Sequence, residues 1–169
     1  PDAQATVKVA DPTLNEDLAR WEAPGLVASK LTLLGPVGAR TTGDTKATAH
    51  RRPFYVELLA FLVLHPHGVS GPSIAEAFAI RPERVRVDIS QLRRWLGSDP
   101  RTGKPYLPKV EASHDPDSPA LYKIDGVLCD LDLFRRLRAR GQSRGADGID
   151  DLVTALGLVS GEPFTELRK

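Results

Sequence analysis

Apolar residues recur along this chain in several rhythms, and each rhythm predicts an element. Between Arg81 and Gly97, the residues Val85, Ile89, Leu92 and Leu96 fall at i, i+4, i+7 and i+11, one stripe of an α-helix. Pro82 stands where a first helical residue would, and Gly97 supplies a left-handed stop, so the spacing predicts a helix over 82–96. From Arg52 to about His65 nearly every residue is apolar, which predicts a helix at the centre of a domain. The segment His65-Pro-His-Gly-Val-Ser70 breaks it. A shorter helix, Ser73 to Phe78 or Ile80, is expected to turn Ile74, Ala77 and Phe78 inward. Only Ile80-Arg81-Pro82 separates it from the helix over 82–96, the spacing of a helix-turn-helix with 82–96 as the recognition helix.

The flanking segments are patterned too. Residues 1 to 12 read as extended and polar. Thr13 and Glu16 form a capping-box pair ahead of Leu14, Leu18 and Trp21, predicting a short amphipathic helix over 14–22 that Pro24-Gly25 ends. The aliphatic run Leu31 to Val37 and the Thr-rich stretch to His50, with a turn at Gly43-Asp44, predict a small antiparallel sheet. Tyr106 to Ala112 and Ala120 to Asp125, joined by a Pro and Asp cluster, predict a β-hairpin, the wing at 106–125. Leu131, Phe134 and Leu137, then Ile149, Leu152, Val153, Leu156 and Val159, predict two helices joined by the turn GQSRGADG. Such a hairpin cannot bury its apolar face alone, so it is expected to pack on the main body or to begin a series of helix pairs. The expected fold class is α+β: a winged helix-turn-helix over 30–127, preceded by an extension at 1–29 and followed by an α-helical hairpin at 128–169.

Charge sharpens this picture where composition does not. The 169 residues carry a formal net charge of +1, yet residues 81 to 109 hold eight Lys or Arg against three acids, while 110 to 169 hold eight against eleven. On the outer face of the 82–96 helix lie Glu83, Arg84, Val87, Ser90, Gln91 and Arg94, with Arg86 and Arg93 on its shoulder. Guanidinium forks, a short hydroxyl, an amide and a small apolar group are the means by which a helix contacts phosphates and reads base edges in a major groove. Arg84, Arg86, Ser90, Gln91 and Arg94 are therefore candidate groove contacts. Arg93, Lys104, Lys109, Arg51 and Arg52 are candidate phosphate contacts.

Other chemistries find less support. Gly97 to Lys104 imitates a phosphate-binding loop, but five residues separate its glycines, Pro105 replaces the hydroxyl residue and the loop follows a helix. His50, His65 and His67 lack carboxylate partners at helical ligand spacing and read as loop histidines. The single cysteine, Cys129, rules out an internal disulfide and any multi-cysteine zinc site, and fits an apolar strand end. No cofactor, metal or enzymatic activity is expected. No apolar run is long enough to span a bilayer. A chain that opens on Pro1 and holds no methionine is expected to be a piece of a larger protein.

VRVDISQLRRWL resembles the recognition helix of OmpR-type winged-helix effector domains, whose pattern runs V-x-V-x-I-S-x-L-R-x-x-L. Over about residues 30 to 166, LTLLGPV, LVLHPHGVS, LRRWLG, DLDLFRRLRARG and the closing SGEPF are similar to actinobacterial SARP-type regulators. In that family an OmpR-like DNA-binding domain precedes a bacterial transcriptional activation domain of tetratricopeptide-like helix pairs. The resemblance implies a cytoplasmic transcription regulator that binds double-stranded DNA; RNA polymerase or another protein is a further candidate partner, and a homodimer is expected of DNA readers that use two half-sites. It also allows for a membrane-anchored parent, with no membrane contact by this segment. The tip of the wing departs from the family: it carries Glu111, Asp115 and Asp117 where OmpR-type wings place an Arg-Gly-x-Gly-Tyr segment. That departure supports the alternative, a degenerate winged helix that serves as a protein-protein interaction module.

Overall fold

The apolar stretch after Arg51 forms a helix, α2 (Arg52–Val63), and Phe54, Tyr55, Leu58, Leu59, Ala60 and Leu62 bury most of its surface. It is the hub of the main core in a computed structural model that describes residues 10–110 and 118–167. A two-residue strand, β3 (Val69–Ser70), leads into α3 (Gly71–Ala77), and after a short turn α4 runs over Pro82–Leu96. The α4 boundaries and its buried stripe of Val85, Ile89, Leu92 and Leu96 are those the spacing predicts, with Trp95 added to the core. Helix α3 begins two residues earlier than expected, because Ser70 caps it by accepting the Ser73 N–H. Its buried small residue is Ala75, not Ala77, which is exposed.

The sheets differ from the expected antiparallel one. Strand β1 (Lys30–Thr32) pairs antiparallel with β2 (Gly38–Arg40), but its other edge takes β5 (Leu128–Cys129) in parallel. The Thr-rich stretch 41–50 is not strand but a run of turns closing in a 3-10 turn, Ala49–Arg51. The predicted hairpin also divides differently. Its second arm, β4 (Leu121–Tyr122), pairs antiparallel with β3 rather than with Tyr106–Val110, which is not strand. The two arms meet through the Asp125 N–H, which donates to the Tyr106 carbonyl at 2.8 Å. The wing tip, with Glu111, Asp115 and Asp117, and the N-terminal stretch 1–9 lie outside the described residues.

A second, smaller core joins the two ends of the described chain. Helix α1 (Leu14–Glu22) packs on α5 (Asp130–Arg144), and α5 packs on α6 (Ile149–Gly157), burying Leu14, Leu133, Leu137 and Ala155. The first half of GQSRGADG belongs to α5, and only the 3-10 turn Gly145–Gly148 connects the helices. They cross closely, since a Cβ on Gly148 would lie 1.9 Å from the Gly141 carbonyl oxygen. The capping box does not form at α1. The Thr13 hydroxyl bonds Asp11 and accepts from Arg136, while Glu16 pairs with Arg101.

Two arginines lock this unit. Arg136 binds Asp11 at 2.7 Å, Asp17 at 2.8 Å and Asp132 at 3.3 Å, tying α1 to α5. Arg140 grips the Asp151 carboxylate with two bonds of 2.9 and 2.7 Å, both partners being buried. That grip holds the Asp151 carboxyl below its ordinary value of 3.8. A carboxyl lowered in the folded state contributes stability that is complete above its ordinary value and lost as pH falls through its folded value. Asp151→Asn is therefore expected to lower unfolding free energy at pH 7 by about 3 kcal/mol, because it removes the charge paired with a buried guanidinium, which keeps its bond to Asn15. Urea unfolding followed against pH should show the gap to wild type closing as pH falls below about 4; a gap independent of pH would contradict this.

Candidate nucleic-acid interface

Helix α4 is held at its C-terminal end, where the last carbonyls of a helix have no partner within it. The Asp44 N–H donates to the Arg94 carbonyl at 2.9 Å, and the hydroxyls of Ser29 and Thr42 donate to the Leu96 carbonyl at 2.9 and 3.3 Å. This approach requires glycine twice. A Cβ on Gly43 would meet the Arg94 carbonyl oxygen at 2.3 Å, and Gly97 has φ 73 with Gly43 Cα 2.9 Å from any Cβ it might carry. The loop before α2 thus sets the position of α4, and the core stripe sets its rotation.

With α4 so fixed, Glu83, Arg84, Arg86, Val87, Ser90 and Arg94 are exposed, and Gln91 is half-buried. Val87 is 44% exposed, an isolated aliphatic side chain among the arginines. Arg86 and Ser90 make no side-chain bond among the described residues, which leaves them available. Lys104 and Lys109 are exposed in the segment that follows α4. Arg94 bonds Asp44 at 2.7 Å, but both are solvent-exposed, and such pairs are worth about 0–1 kcal/mol.

The remaining cations have internal partners. The Arg52 guanidinium lies 4.6 Å over the Trp95 ring and donates to the Thr45 carbonyl. Arg93 donates through Nε to the Leu107 carbonyl at 2.7 Å and through Nη2 to the Pro108 carbonyl at 3.3 Å. Partial burial lowers its pKa. Arg93 therefore fastens the first arm of the predicted wing to α4. Arg51, stacked 4.1 Å over Phe54, and Arg84 come from different elements yet meet at one oxygen of Asp88, at 3.6 and 3.5 Å.

Asp88 is the residue that a reading of the outer face passes over. It is fully buried, and its Oδ1 accepts the Tyr55 hydroxyl at 2.9 Å. Burial, and then the Asp88 bond, push the Tyr55 hydroxyl up to about 12. The signal was in the spacing: Asp88 stands three residues after Val85 and four before Leu92, on the flank of the core stripe. Cys129 ends β5, and burial pushes its thiol up to about 11, so it is held as a neutral thiol. His65 and His67 lie where α2 gives way to a turn, and no group of three or more His, Cys, Asp or Glu that could hold a metal exists among the described residues. No helix among them is long and apolar enough to cross a membrane.

No protein family, curated protein or solved structure matches the chain.

The Arg93 clamp yields a direct test. Arg93→Ala removes two charge-assisted bonds and is expected to cost about 1–3 kcal/mol of stability, from the carbonyl of the buried Leu107, while water replaces the guanidinium at the exposed Pro108. Hydrogen exchange should then quicken at 106–110 before it does in α2. Unchanged exchange in that segment would show that Arg93 does not hold it.

Proposed function

We propose that this chain is the DNA-binding module of a transcription regulator, a winged helix whose α4 enters the major groove of double-stranded DNA. The observation that carries the reading is the outer face of α4, where Arg84, Arg86, Val87, Ser90 and Arg94 are exposed together on a helix fixed at its far end. The order α2, β3, α3, α4, with β4 returning to pair with β3, supports the winged-helix reading. In this reading Arg84, Arg86, Ser90 and Arg94 face base edges and Val87 offers an apolar surface to a thymine methyl, whereas Gln91, expected among them, has its amide oxygen buried. Arg51, Lys104 and Lys109 supply charge for phosphates, and Arg52 and Arg93 contribute from their internal seats by keeping α4 and the wing in place. The resemblance to SARP-type regulators supports a tetratricopeptide-like helical hairpin at α5 and α6 that contacts RNA polymerase or another protein; binding as a homodimer follows if the DNA carries two half-sites.

A second reading has its own observation. Ile149, Val153 and Leu156, exposed by 60, 62 and 68%, form an open apolar stripe on α6. Such a stripe fits an interaction module that binds protein through its helical hairpin.

One titration separates the two. The chain is mixed with fluorescent random-sequence duplex DNA at about 50 and 200 mM salt. The DNA reading expects affinity to fall on the order of a hundredfold across that range for four phosphate contacts, and Arg94→Ala to weaken binding to a selected duplex by about 1–3 kcal/mol. Absence of binding at the lower salt would overturn the DNA reading and leave the interaction module.

A further inference from the structure

The buried Asp88 gives the proposed DNA face a property that its list of arginines does not. Arg51 precedes α2 and Arg84 lies in the first turn of α4, so nothing in the chain's local geometry would bring them together. They converge because both reach Asp88 Oδ1, at 3.6 and 3.5 Å, while the Tyr55 hydroxyl approaches the same oxygen at 2.9 Å from the core side. Arg51 and Arg84 remain partly exposed, by 36 and 45% of their side chains, whereas Asp88 shows 1%. The second carboxylate oxygen, Oδ2, is buried with no hydrogen-bond partner among the described residues. A buried acid costs several kcal/mol in desolvation unless charges offset it, and the two guanidiniums supply that charge.

We infer that Asp88 is a positioning residue of the DNA face, which orients the Arg51 and Arg84 guanidiniums and cancels half their joint charge. The inference rests on the DNA-binding reading and deepens it. Random DNA is bound through net charge, and every uncancelled cation adds to the number of counterions released. A selected sequence is bound through geometry, which fixed guanidiniums supply at less cost in side-chain order. An acid in this place therefore lowers affinity for random DNA and widens the gap between selected and random sequences. Glu83, exposed near the start of α4, acts through charge alone, because it holds neither arginine.

The test uses the full chain, random-sequence duplex DNA and a duplex selected from the random pool by wild type. Asp88→Asn keeps the shape and removes the charge. It is expected to bind random DNA about three- to tenfold more tightly at about 50 mM salt, with a salt slope steeper by about 0.9. Its preference for the selected duplex should shrink. In an Arg51→Ala, Arg84→Ala background the same change should have no effect on the slope. Tyr55→Phe, which leaves the carboxylate in place, should keep the wild-type slope and lose part of the preference; it carries the test alone if Asp88→Asn does not fold. Wild-type binding with slope and preference unaltered in these variants would overturn the inference and leave the DNA reading intact. No binding of random DNA by any of them would overturn both.

Discussion

Both oxygens of the Asp130 carboxylate accept hydrogen bonds from the backbone of a distant strand end, the N–H of Leu33 at 2.8 Å and that of Leu34 at 3.0 Å. The residue is buried, opens α5 and directly follows β5, whose parallel pairing with β1 delivers it to this place. A negative charge at a helix N-terminus is itself favoured. Without this carboxylate, two buried N–H groups at the exit of β1 would lack partners, at about 1–3 kcal/mol each. Where α5 starts decides where it points. Its direction then decides where α1 and α6 find a surface, so the smaller core is suspended from one acid in the larger.

The proposed DNA face has a comparable economy. Its side chains are exposed, but what places them is not. The Asp44 N–H and the Thr42 hydroxyl hold the end of α4, Arg93 ties the next segment to it, and Asp88 meets two arginines from separate elements. Much of the charge on this face is engaged within the protein, while Arg86, Lys104 and Lys109 have no side-chain bond among the described residues.

Helices α2 and α4 were legible because long apolar patterns and marked ends leave little choice; Pro82 and Gly97 bracket α4 at its observed limits. The strands were not. Each is two or three residues long, too short for alternation to show; only the antiparallel pair of β1 with β2 is local, while β5 and β4 reach β1 and β3 from far along the chain. The capping box at Thr13 had the right letters, but Arg136 and Arg101, which no local pattern reveals, drew both side chains elsewhere. The outer face of α4 was readable from periodicity, and so were its exposed arginines. The engagement of Arg52, Arg93 and Arg51 was not, because their partners are an indole, two carbonyls and a buried acid contributed by other segments.

Arg136 meets Asp11 across 125 positions of sequence. Closing a loop of that size costs entropy before any contact repays it, and the cost falls when the intervening chain is already folded. The cost falls on α1 alone, because α5 and α6 are neighbours joined by the turn Gly145–Gly148 and meet without any such closure. A change that frees α1 therefore leaves the helical hairpin its own local packing while exposing the face of α5 that Leu14 covers.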